Sequence, residues 1–533
     1  MVTNSKKRDR KWRLVGWATI SWFAWIGPGI AAEAELAVGV VQRFGGDERP
    51  KTLQISTIGE GNLTVNFQVP ELGPQTLTTD ALTITIVDEP LEAPVLRETL
   101  ILSDRATFET AENSSKEWAK LGIPTEVTQP GRWQVWAKRD VYNTPLLRRL
   151  LLDSLQAKGY DGPYLDSEIK TTEPAVRLTI GETVVEPENL VIAASNDRMR
   201  VQLGDKVDKA KVYGGNLELI SNAYGNFTLV NNIGIETYLR GVVPHEIGPG
   251  APQAAVEAQT IVARTYALRN VRRFKADGYQ LCATVHCQVY YGLSGTIDRI
   301  DEAITATAGK VLTYQGQLVD ALYSSTSGGV TSNFADIWDG ENRPYLTSVI
   351  DAPKALWDLE TEDLSSEDAF RRFIALADGF NEDGRSAFRW NKPSTLSELG
   401  ADLQAYLKKR KHPLADFQEL KTLEITERSP SGRILALNAT TDIGTIALYK
   451  TEVRSAFGPP RSTLFYLEPI TDATGALTGY AFVGGGFGHG VGMSQYGSYN
   501  LANLGWDAAK ILKFYYPNTQ ITPLNATGAA ALQ

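Results

Sequence analysis

One carboxylate stands out from this 533-residue chain by its surroundings. Glu246 lies in GVVPHEIGPG, with Pro244 before it and Gly248-Pro249-Gly250 after it, so regular structure breaks on both sides. A carboxyl held in such a turn is a candidate general acid or base. To act as an acid near neutral pH its pKa must be raised, most simply by partial burial. The plainer reading is a glutamate that caps the next helix or pairs with an arginine. A second cluster is LCATVHCQVYYG, where Cys282, His286 and Cys287 fall within six residues. That ligand set suits zinc. The two cysteines, the only ones in the chain, are equally open to a disulfide in an oxidising compartment, or to staying free. Gln288, Tyr290 and Tyr291 follow, and their alternation suggests a strand edge with an aromatic at a groove or in the core. Ser325 and Ser327, in SSTSGG, offer hydroxyls to a ligand, but there is no G-x-S-x-G turn for a serine hydrolase. In GGGFGHGVGMSQYG the glycines let backbone approach a ligand closely, and His489, Ser494 and Gln495 are candidate contacts. That segment is neither a dinucleotide fingerprint nor a phosphate loop.

The element that positions Glu246 is the stretch after it. Pro252 suits a first helical turn, and Ala254, Ala258, Ile261, Thr265 and Leu268 recur at helical spacing. This predicts a helix with a narrow face that lies close against a neighbour. Arg264 stands near its far end, either oriented toward the carboxylate or a ligand, or buried for structural reasons.

VVPHE followed by AVEAQTIVARTYAL resembles the signature of the SpoIID family, also called the sporulation stage II D / LytB family. CQVYYG, STSGGVT and GGGFGHGVGMSQYG follow in that family's order, so the resemblance spans roughly residues 211 to 520. It implies a lytic transglycosylase that cuts peptidoglycan glycan strands. In that chemistry the 6-hydroxyl of the muramic acid attacks its own anomeric carbon, and one glutamic acid serves as acid and base. On this reading Glu246 and Arg264 are catalytic. Gln288, Tyr290, Ser325, Ser327, His489, Ser494 and Gln495 bind substrate. The chemistry needs no cofactor, although some family members hold zinc near the active site, for which Cys282, His286 and Cys287 are the candidates. Many members carry histidine where this chain has Ser324. Other relatives are described as amidase enhancers, so a wall-binding partner of an amidase is the alternative.

A net charge of −9 argues against a nucleic-acid partner. A basic start (Lys6 to Arg13), an apolar run from Leu14 to Ile30 and Ala32-Glu33-Ala34 predict an export signal over 1–34, or an anchor if uncleaved. The expected product is an exported bacterial protein of the periplasm or wall, with a membrane contact only if that segment stays. The expected fold is α+β. A β-rich accessory domain is predicted over 35–125 and a small strand–helix subdomain, SPOR-like in pattern, over 126–172. A catalytic region with mixed antiparallel sheet and helix follows over 173–525, with a more helical insertion at 351–415.

Overall fold

Alternating apolar residues lay down the strands. In Leu63–Val69, Leu63, Val65 and Phe67 are buried while Asn66 and Gln68 face outward. The same alternation builds two large sheets whose inner faces share one core with the central helix. The computed structural model describes residues 33–46, 49–70, 72–205, 209–410 and 412–526. The predicted signal segment lies, but for its last two positions, outside the described residues.

The first sheet runs in the order Leu281–Cys282, Glu35–Phe44, Phe227–Gly234, Asn216–Ser221, Leu190–Ala194, Leu63–Val69 and Gly73–Thr79. The second runs Lys211–Tyr213, Met199–Leu203, Thr52–Thr57, Ala81–Arg105, Trp133–Ala137 and Thr125–Thr128, and Tyr164–Ile180 also pairs with Ala81–Arg105. Strands from before residue 110 and from after residue 160 are therefore neighbours in both sheets. The boundaries expected at 125/126 and 172/173 do not fall between sheets. A strand's backbone groups are satisfied by whichever partner pairs with them, and here those partners are far apart in sequence. The helix Pro145–Ala157 forms where its pattern places it, with Thr144 accepting the Leu147 N–H as its cap. It belongs to this same assembly. Helices and mostly antiparallel sheets in separate stretches of chain make the fold α+β.

The central helix spans Gln253–Arg269. Pro252 stands just outside it at φ −59° and ψ 145°, so it caps the helix and does not enter the first turn. From Ala255 to Leu268 every residue except Glu257 is buried, so the predicted narrow face is part of a helix enclosed on nearly all sides. Thr260 and Thr265 satisfy their hydroxyls by bonding back to Val256 O and Ile261 O, each at 2.7 Å. The helices Gln495–Asn503 and Ala508–Tyr515 pack on it near the C-terminal end of the chain.

The expected insertion at 351–415 holds two helices, Glu367–Ala375 and Leu396–Lys409, the second closed by a capping box between Thr395 and Glu398. It is not self-contained. Its strand Arg389–Thr395 pairs with Leu477–Gly485, which pairs in turn with Phe465–Thr471. A further sheet of Leu420–Arg428, Ile434–Thr441 and Thr445–Tyr449 completes a second core.

Candidate active site

Glu246 is the last residue of a short helical turn, Val243–Glu246. Val242 O accepts both the His245 and Glu246 N–H groups, at 3.0 and 3.1 Å. Gly248 follows at φ +78°, where a residue with a Cβ is strained, and turns the chain toward the central helix. The half-buried carboxyl faces a groove of about 450 Å³ that Tyr323, Ser325, His489 and Gln495 also line. Its Oε1 accepts the Val289 N–H at 2.9 Å, and the Tyr323 hydroxyl bonds to the carboxyl as well. Tyr323 is held in turn by Gln288 Nε2 at 3.3 Å, and Gln288 Oε1 accepts the Tyr238 hydroxyl at 3.4 Å. Gln495 Nε2 donates to the Glu246 carbonyl at 2.8 Å, and the Tyr499 hydroxyl donates to Ile247 O.

Burial raises the Glu246 pKa, and the Val289 amide and Tyr323 hydroxyl only partly offset it. No lysine or arginine contributes to that balance. Burial also holds the Tyr323 and Tyr238 phenols well above their ordinary value, so both remain hydrogen-bond donors at any working pH. The result is a carboxyl biased toward its acid form, fixed from one side and open to the groove on the other.

The structure places the other predicted residues unequally. Gln495, Ser325 and His489 line the groove with Glu246. Gln288 is buried behind Tyr323 and acts through it. Burial and the nearby Arg454 and Arg433 push the His489 pKa down to about 3, and its Nδ1 accepts the Val491 N–H at 3.0 Å, so a neutral ring pins its own loop.

Four expectations are corrected. Arg264 does not reach Glu246. It is fully buried and grips Glu236 with two hydrogen bonds, at 2.8 and 2.6 Å, while its Nη1 bonds to Lys310 O at 3.1 Å. Tyr290 is likewise core, stacked among Tyr213 and Tyr238 with its hydroxyl on Asn231 Oδ1 at 2.8 Å. The neighbouring Tyr291 is the exposed ring, beside His245 and under Lys211. Ser327 and Ser494 are fully buried, and their hydroxyls bond to Asp351 and Glu382, not to the groove. Cys282 and Cys287 form a disulfide with Cα atoms 5.7 Å apart, so neither offers a thiolate to a metal. His286 is exposed beside it, and among the described residues no cluster of three or more His, Cys, Asp or Glu is arranged to hold a metal ion. The residues present do not fit zinc.

Other contributors were not read from the sequence. Tyr323 and the Val289 amide touch the carboxyl directly; the one signal for Tyr323 was its place just before the serine-rich motif. Phe108 and Glu109, from the β-rich stretch over 35–125, and Trp133, from the SPOR-like stretch over 126–172, bring a wall of the groove. Among the described residues Glu109 is the groove's other carboxylate, and Arg273 holds it in an ion pair. Arg454 lines the groove too, its guanidinium 5.9 Å from the centre of the exposed Phe487 ring.

Residues 223–314, which hold the Glu246 turn and the central helix, match the Stage II sporulation protein family. The chain thus carries a stretch similar to the SpoIID family. Residues 332–492 match a separate domain of unknown function. Over 306 residues the chain is 31% identical to an amidase enhancer of Bacillus subtilis, covering 53% of this chain but only 40% of that relative's length. It is 29% identical over 313 residues to the stage II sporulation protein D of the same organism, covering 56% of this chain and 77% of the relative. An uncharacterized protein of Brachyspira hyodysenteriae aligns over 68% of this chain and 89% of its own length at 25% identity. The SpoIID-like stretch thus carries Glu246, while two flanking regions supply parts of its groove.

Proposed function

We propose that this chain is a lytic transglycosylase of the SpoIID family that cleaves peptidoglycan glycan strands and leaves an anhydro-muramyl end. One observation carries the reading: Glu246 is a raised-pKa carboxyl open to a groove whose other carboxylate, Glu109, is tied to Arg273. Hydrolytic mechanisms usually need a second free carboxylate to activate water or attack carbon. A transglycosylase needs only one. The protonated Glu246 gives its proton to the leaving glycosidic oxygen. The 6-hydroxyl of the muramic acid attacks the anomeric carbon, and Glu246 takes that hydroxyl's proton, so the residue ends as it began. Tyr323 and the Val289 amide steady the carboxylate formed between the two transfers. The reading places the protein outside the cytoplasm, consistent with its N-terminal sequence and its disulfide.

A second reading has a specific observation behind it: a 31%-identical relative is named an amidase enhancer. The same groove would then hold glycan while a separate amidase cuts. Digestion of purified glycan strands, with and without stem peptides, separates the two by mass spectrometry. Anhydro-muramyl ends made by the chain alone support the first. Binding without cleavage, together with a faster added amidase, supports the second.

A further inference from the structure

Two carboxyl groups with no place in the chemistry above lie fully buried beneath the groove, Asp351 and Glu382. Both come from the 332–492 region, which matches a domain of unknown function. Glu382 accepts the Ser327 and Gly328 N–H groups, the latter at 2.9 Å, and the Ser494 hydroxyl. Asp351 accepts the Ser327 hydroxyl at 2.9 Å, the Asn381 amide at 2.9 Å and the Tyr515 hydroxyl at 2.7 Å. The carbonyls of the same loop are held by the buried Arg433 and the half-buried Arg389. Arg433 Nη2 donates to Ser327 O at 2.6 Å and Arg389 Nη1 to Gly328 O at 2.8 Å.

Two like charges side by side in a dry interior are not both kept, so one proton stays between the acids. Burial and the neighbouring Glu382 raise the Asp351 pKa, which puts that proton on Asp351. Glu382 then remains an acceptor, as its two N–H partners and one hydroxyl partner require.

The contacts lead from the pair to the acid. Ser494 donates to Glu382 while its oxygen accepts the Gly497 N–H at 3.0 Å, capping the helix that begins at Gln495. Gln495 grips the Glu246 carbonyl, and Tyr499 of the same helix holds Ile247 O. On the other side Ser325 O accepts the Tyr496 N–H at 3.2 Å. The geometry points to Asp351 and Glu382 as positioning residues for Glu246: a buried acid pair whose hydrogen bonds lock the Ser325–Gly329 loop to the Ser494–Gln495 turn and so fix where Glu246 stands. The region of unknown function thereby acquires a role in the site. The catalytic consequence rests on the transglycosylase reading; the positioning itself does not.

The test is hydrogen exchange read by mass spectrometry on the full chain and on E382Q, with turnover measured in parallel. In E382Q an amide nitrogen meets hydrogen-bond donors. Protection should fall in peptides covering 325–329 and 493–497, and also at 243–248. The kcat should drop by about a hundredfold with KM little changed, as for a displaced catalytic group. D351N, whose amide can donate the bond that the shared proton supplied, should cost less than E382Q. A folded E382Q that loosens 325–329 alone, with protection at 243–248 and kcat as in the wild type, overturns the proposal. Should E382Q not fold, Ser494→Ala cuts the link between pair and turn, and unchanged exchange at 243–248 in that variant overturns it equally. Exchange is read whether or not glycan is cut, so a wild type that cleaves nothing refutes the transglycosylase reading and leaves this test standing.

Discussion

Replacing Glu246 with glutamine removes the proton donor and little else. The side-chain oxygen can still accept the Val289 N–H, and the Tyr323 hydroxyl keeps a partner. General acid–base catalysis by a positioned side chain contributes roughly 10²- to 10⁴-fold. At about 1.4 kcal/mol per decade, the variant should lose about 3 to 5.5 kcal/mol of transition-state stabilisation. Stability should move the other way. The folded pKa of Glu246 lies above its unfolded value, so its contribution is full at acid pH and is lost as pH rises through the folded value. Glutamine has no charge to desolvate and escapes that loss, so the Tm of E246Q at pH 8 should equal or exceed the wild type's. The assay is release of anhydro-muramyl fragments from purified glycan, with Tm and glycan binding measured on the same preparations. A folded E246Q that keeps more than about a tenth of wild-type turnover refutes the reasoning. So does a product with water added at the reducing end, which would return attention to Glu109.

Tyr323→Phe removes a donor that favours the ionised Glu246, so the alkaline limb of the kcat/KM profile should move to higher pH; an unmoved limb would exclude this contact. Arg264→Met should destabilise the fold by about 3 kcal/mol in urea titration, because a fully buried guanidinium and its two-bond ion pair with Glu236 are lost, while turnover per folded molecule stays near normal. Reducing the Cys282–Cys287 disulfide should cost about 2 kcal/mol for so short a loop, read as a lower Tm, and the oxidised protein should carry no stoichiometric zinc by elemental analysis. His489 has a folded pKa of about 3 against an ordinary 6.5. Its contribution is therefore present above about pH 6.5 and lost as pH falls toward 3, and His489→Gln should flatten the acid slope of stability.

The turn that holds Glu246 was legible because proline and glycine punctuate the chain around it, and those residues act locally. Gln495 and Ser325 were legible as members of motifs. Arg264 was not: helical spacing gives its height along the central helix but not its neighbour, and Glu236 arrives from a different helix. Tyr290 was misassigned because alternation applies only to strands, and residues 286–291 are irregular, so the exposed ring is Tyr291. Counting ligands among Cys282, His286 and Cys287 left the redox state undecided, and spacing alone gives no more. The groove wall from Phe108 and Trp133 depends on the pairing of Trp133–Ala137 with Ala81–Arg105. No short-range pattern reports that. The acid pair stayed hidden for the same reason, since its two members meet only in the folded chain.

The strand Glu35–Phe44 lies between Leu281–Cys282 and Phe227–Gly234. The earliest described strand therefore waits, during synthesis, for one partner that emerges nearly two hundred residues later and another that emerges later still. Contacts of such long separation close slowly, because loop entropy is spent before pairing repays it. Until then an apolar strand edge stays open to mispairing, with aggregation as the cost. The same pairing also means that a fragment cut to begin at the Glu246 domain would lack a strand of its own sheet.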